Sequence, residues 1–92
     1  MNLFANLLIL FLGMQQNTES ADTYFKKGLE NSQTKKYEQA IIDFTKAISL
    51  KSNYSEAFYN RGIVYFEMKQ PDKGFADFDK AIRLNAENGM FW

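Results

Sequence analysis

The chain has 92 residues, room for one small domain. It is 46% hydrophobic and 16% aromatic, enough for a packed core rich in Phe and Tyr, and its 11 basic and 11 acidic side chains cancel, which argues against the basic surface that a nucleic-acid partner needs. With neither Cys nor His, disulfides, thiolate metal sites, thiol nucleophiles and the usual general base are excluded, and no enzyme active site, cofactor or metal is expected.

Leu3 to Met14 reads LFANLLILFLGM, with Asn6 its only polar residue, and the first charged side chain of the chain is Glu19. About a dozen apolar residues are too few for a membrane span of ~20. They suit the apolar region of a secretory signal peptide, and Thr18-Glu19-Ser20 ahead of Ala21 supplies small residues where a signal peptidase cuts. Residues 1–20 are therefore read as a signal peptide or hydrophobic anchor, with the mature chain starting near Ala21. A helix packed on the domain is the remaining alternative. The implied location is exported (periplasmic or secreted) or membrane-anchored through residues 3–14, in preference to cytoplasmic.

From Ala21 the apolar residues recur at helical spacing. Tyr24, Phe25, Gly28 and Leu29 predict a first helix from about Ala21 to Gln33, followed by a polar connection, Thr34-Lys35-Lys36. Tyr37, Ala40, Ile41, Phe44, Ala47 and Ile48 form the stripe of a second helix, about Tyr37 to Leu50, with Asp43 and Lys46 off the stripe and expected in water. A third helix is predicted from about Tyr54 to Met68, with Asn53 as N-cap and Glu56 three residues on. After the turn Lys69-Gln70, Pro71 opens a fourth helix, Asp72 favours its positive end, and Asn85 just past Leu84 is read as its stop. Asn53-Tyr54-Ser55 matches a glycosylation sequon, read as a chance occurrence.

The second half repeats the first. Asp43–Leu50 reads DFTKAISL and Asp77–Leu84 reads DFDKAIRL, 34 residues apart, and six of the eight positions are identical. Gly28 and Gly62 share that offset, as do Lys35 and Lys69. A period of this size points to stacked helix pairs. Two helices approach closely only where side chains are small, so Gly28 with Ala40, and Gly62 with Gly74, are expected at the crossings, with Phe44 and Phe78 filling the space beyond.

This pattern resembles the tetratricopeptide repeat. The family's large-then-small pair of the first helix is matched by Tyr24 with Gly28 and by Phe58 with Gly62. Its tyrosine-like position is met by Tyr65 but not by Asn31. The small, aromatic and alanine positions of the second helix are Ala40, Phe44 and Ala47, then Gly74, Phe78 and Ala81, while Ser52 and Ala86 stand where the family usually has Pro. The resemblance implies an all-α chain of antiparallel helix pairs forming a short right-handed α-solenoid, with repeats at 21–54 and 55–88. Residues 89–92 are read as the start of a third copy, Trp92 falling where Tyr24 and Phe58 stand.

The same resemblance implies a non-enzymatic scaffold that binds a peptide or helix of a partner protein in the concave groove. Carried over, the groove positions are Phe25, Leu29 and Gln33, then Tyr59, Asn60, Ile63 and Phe66, flanked by Asp22, Ser32, Glu56 and Glu67. The residues agree in part: 57–59 and 62–66 are apolar nearly all round, leaving Tyr59, Ile63 and Phe66 in surplus of one buried stripe. Phe25 and Leu29 stand where the family's carboxylate clamp needs Lys and Asn, so no clamp is expected. Asp72, Asp77 and Asp79 are read as a solvated helix face without a basic partner.

Solenoid repeats bury their faces on neighbours, so the last helix should leave Phe75, Ala76, Ile82 and Met90 uncovered. Three arrangements would cover them: continuation into a longer repeat array, the favoured one; homo-oligomerisation through the open end; or folding back of the N-terminal segment. The alternative function is accordingly a structural module that self-associates, or packs in a longer array, through that end.

Overall fold

A computed structural model describes residues 19–87, and all structural statements concern these. They form four helices: α1 (Ala21–Gln33), α2 (Tyr37–Leu50), α3 (Ser55–Glu67) and α4 (Pro71–Glu87). α1 packs antiparallel on α2, α3 on α4, and α3 also packs on α2, while α1 and α3 touch only lightly. The reading of residues 1–20 as a signal peptide or anchor, apart from Glu19 and Ser20, and that of 89–92 as the start of a third copy, lie outside the described residues. Among the described residues no helix is long and apolar enough to cross a membrane.

Local chemistry sets the helix ends. Ser20 caps α1, its Oγ accepting from the Thr23 amide at 3.2 Å, and Asp22 lies in the first turn, both favourable at the positive end of a helix. α1 and α3 end identically. Lys35 and Lys69 each take φ 62°, a left-handed conformation. The amides of Lys36 and Gln70 then reach back to the carbonyls of Asn31 and Tyr65, at 2.8 Å in both cases. This closes each helix by recovering carbonyls that would otherwise be orphaned.

Two expected ends differ. Asn53 does not cap α3: Tyr54 holds the cap position with no side-chain capping bond, and its carbonyl takes the Ala57 and Phe58 amides at 3.1 and 3.2 Å. The Tyr54 side chain is committed to packing, as shown below. α4 also passes Asn85 and continues to Glu87, because Asn85 keeps a helical backbone and Ala86 and Glu87 are good helix formers.

The core sits where the pairs meet. Ala40, Phe44 and Val64 form one buried cluster, with Phe25, Leu29, Tyr37, Ile41 and Met68 packed around it. Ala47, Tyr54 and Ala57 form a second, flanked by Ala21, Tyr24, Phe25 and Ile48. Phe44 and Val64 are fully buried, each contributing about 1.5–3 kcal/mol of apolar burial.

Small residues admit the rings. A Cβ on Gly28 would lie 2.5 Å from Cε1 of Phe44, so Phe44 itself, rather than Ala40 as expected, occupies the space that Gly28 leaves. Gly62 meets both Phe78, at 2.9 Å, and the Gly74 carbonyl oxygen, at 3.0 Å. Gly74 in turn receives the Phe66 ring, 2.7 Å from the position of a Cβ. Phe75 and Ile82 are 64% and 55% exposed, and Ala76 is exposed beside them, as the uncovered last helix predicted.

Candidate functional site

Asp43 and Asp77, the repeated acidic residues expected in water, are both buried, at 5% exposure each. Each lies at the seam of its helix pair. Asp77 takes a two-pronged bond from Arg61: Nε donates to Oδ2 at 2.8 Å and Nη2 to Oδ1 at 2.7 Å. Arg61 Nη1 also donates to Thr45 Oγ1 at 3.1 Å, tying α3 to α2 as well as to α4. The hydrogen bond to Asp77 holds the guanidinium protonated more firmly than in an isolated arginine. In the first pair the equivalent of Arg61 is Lys27, which bonds Glu19 instead at 2.8 Å. Asp43 is served by Asn31 Nδ2 at 2.7 Å and Gln39 Nε2 at 3.2 Å. Asn31, a departure from the family pattern, is therefore the donor that a buried carboxylate requires. These carboxylates are structural. Among the described residues no group of three acidic side chains is placed to hold a metal.

The residues expected in the groove separate into three places. Phe25 packs into the core, its ring centroid 5.7 Å from that of Phe44 and 5.0 Å from that of Tyr54, and Leu29 packs beside it. Phe66 lies over Gly74, edge-on to Phe75 at 5.0 Å and tilted against Phe78 at 5.1 Å. All three are half-buried, with part of each side chain packed against its neighbours. The surplus of apolar residues on α3 is explained for Phe66 by the glycine opposite it.

Gln33, Asn60 and Ile63 do come together. With Ser32, Tyr37 and Glu67 they line a shallow depression of about 360 Å³ between the end of α1 and the face of α3. Ile63 is 38% exposed at its floor. Asn60 Nδ2 donates to its own helix, to the Glu56 carbonyl at 2.8 Å, which leaves its oxygen free to accept. Lys35 and Glu67 put one charge of each sign at the rim. Lys35 and Tyr37 were not expected here; they reach it because the left-handed turn at Lys35 folds the connection back over the helix end.

Tyr59 lies one turn before Ile63 on the same face of α3. It stacks on Phe78 with centroids 5.2 Å apart and, with Glu56, lines a second cavity of about 410 Å³ near the start of α3, against α4. Its remaining walls, Ser55, Ala81, Ile82 and Asn85, were not singled out from the sequence as a site, although the repeat offset marks their counterparts.

Tyr54 joins the two pairs. Its hydroxyl donates to Asp22 Oδ1 at 2.7 Å, and Lys51 Nζ lies 4.4 Å from its ring centroid. Burial, reinforced by the bond to Asp22, raises its pKa well above the ordinary tyrosine range.

Comparison with known proteins accords with this geometry. A family model described as tetratricopeptide repeat matches residues 55–88, and one described as TPR repeat matches 32–69. The chain is similar to the crystal structure of MamA, with a TM-score of 0.73 and 27% identity over 77% of this chain and 42% of that one. The present chain thus spans less than half of MamA's. No curated sequence matches the chain.

Proposed function

We propose that this chain, which belongs to the tetratricopeptide repeat family, is a non-enzymatic module that holds a segment of a partner protein in the groove between α1 and α3. Tetratricopeptide repeats are in general protein-interaction modules. The observation that supports this site is the depression floored by Ile63 and edged by Gln33, Asn60 and Glu67. A solvent-facing apolar floor with amide and charged groups around it suits a short peptide, whose backbone needs both donors and acceptors. Phe25, Leu29 and Phe66 act from behind, fixing the helices that carry the floor.

The test begins with peptides selected for binding to the wild-type chain from a random display library. Ile63→Asp and Asn60→Ala should each weaken the selected peptides by tenfold or more, about 1.4 kcal/mol or above, with unchanged helicity by circular dichroism. Selected peptides that bind both variants as tightly as wild type would place the site elsewhere.

A further inference from the structure

We propose that Lys27 is a two-position switch, held outward by Glu19 and drawn onto the buried Asp43 when Glu19 is withdrawn. The basis is a comparison of the two helix pairs, which differ in the partners they offer to one cation. In the second pair Arg61 of α3 reaches Asp77 of α4 through two bonds, at 2.8 and 2.7 Å. At the same offset in the first pair stand Lys27 of α1 and Asp43 of α2. The cation and the carboxylate are both present there, yet they are not joined.

What intervenes is Glu19, just ahead of α1, whose Oε2 accepts from Lys27 Nζ at 2.8 Å. The repeat counterpart of Glu19 is Asn53, whose neutral amide competes poorly for a guanidinium against a carboxylate. Each pair therefore behaves as its acids dictate: Arg61 has one carboxylate in reach and takes it, while Lys27 has two and is held by the outer one.

Asp43 is ready for the cation. It is 5% exposed and takes its bonds from two neutral amides, Asn31 Nδ2 at 2.7 Å and Gln39 Nε2 at 3.2 Å. These donors satisfy its oxygens without offsetting its charge. A carboxylate has about four acceptor positions, so an ammonium can be added without displacing either amide. Lysine is also long enough. Its Nζ stands as many bonds from the backbone as the guanidinium carbon of arginine, between the two nitrogens by which Arg61 holds Asp77. The bond to Glu19 is the main cause of the raised Lys27 pKa, and the Asp43 charge already adds to it in the same direction.

The outer pair is able to open. The side chains of Lys27 and Glu19 are 47% and 39% exposed, so water screens their attraction. At Asp43 the lower dielectric strengthens any opposite charge brought to it. Desolvation of the ammonium opposes the move, and Glu19 decides the balance. Any event that takes Glu19 away from α1, such as a cut ahead of Ala21, then gives the first pair the charged tie that the second already has.

The test uses the full chain with Glu19→Gln standing in for the withdrawn acid. Glu19 and Lys27 both reach solvent, so their variants should keep wild-type helicity. The carboxyl carbon signal of Asp43 is followed by nuclear magnetic resonance in carbon-13-labelled protein. Lys27→Met should scarcely move this signal in the wild-type background and should shift it clearly in the Glu19→Gln background. A double-mutant cycle of Lys27→Met with Asp43→Asn, read by urea unfolding, should be additive to within about twofold in wild type and coupled about tenfold in the unfolding constant with Glu19→Gln. The Arg61–Asp77 coupling should be equal in both backgrounds. An Asp43 signal indifferent to Lys27 when Glu19 is replaced, or equally responsive to it in wild type, would overturn the proposal.

Discussion

Removal of Arg61 should be among the most damaging polar substitutions in this fold. The Asp77 side chain is 7% exposed and the Arg61 side chain 17%. Arg61→Met keeps the aliphatic bulk near Phe58 and Tyr65 but strips Asp77 of both donors, leaving a buried carboxylate without a counter-charge. Breaking a buried pair in this way costs about 3–5 kcal/mol. The whole domain should have a stability of roughly 3–10 kcal/mol, from ~0.05–0.15 kcal/mol per residue, so the variant should lie close to its unfolding midpoint. Asp77→Leu leaves the more exposed guanidinium, which can turn to water and to Thr45, and should cost about 1–3 kcal/mol. The double variant removes both charges and should be more stable than the sum of the single losses implies, by roughly 1–3 kcal/mol. Urea unfolding followed by far-ultraviolet circular dichroism measures all four corners of this cycle. A loss below about 1 kcal/mol for Arg61→Met, together with additive single changes, is the behaviour of an exposed ion pair and would refute the argument.

Two further outcomes can be checked on the same material. Gly62→Leu should lower stability by about 1–3 kcal/mol or more, because its Cβ would meet both the Phe78 ring and the rigid Gly74 carbonyl; an unchanged unfolding temperature would contradict the close crossing. For Tyr54, burial and the bond to Asp22 raise the folded-state pKa, so its contribution is complete below the unfolded value of about 10 and is lost as pH rises through the folded value. Wild-type stability should therefore fall more steeply between about pH 9 and 11 than that of Tyr54→Phe, and parallel profiles would show that the phenol is not held as described.

The first two helices were legible in the sequence to the residue, since Ala21–Gln33 and Tyr37–Leu50 are where the apolar spacing put them. Periodicity reports which residues share a helix face, and turn chemistry reports where the face ends. It does not report what lies opposite. Asp43 and Asp77 lie off the apolar stripe and were therefore assigned to water. Both are buried because each finds a donor on the preceding helix, and the two donors, Asn31 and Arg61, do not occupy equivalent positions. Phe66 was one of three apolar residues in excess on α3, and nothing in its own helix shows that Gly74 opens a place for it.

The candidate site divides along the same line. Resemblance named Gln33, Asn60 and Ile63 together with Phe25, Leu29, Tyr59 and Phe66 as one groove. The helix crossings half-bury Phe25, Leu29 and Phe66, and Tyr59, one turn before Ile63 on α3, stacks on Phe78. By itself the sequence determined the helix pairs, their period and the small residues at their crossings, because these follow from local spacing and from a pattern repeated within the chain. Only the tertiary structure decided which face of each first helix is buried, which carboxylates acquire donors and which socket Tyr54 fills. Those outcomes depend on residues far apart in the chain that meet only once the helices have packed.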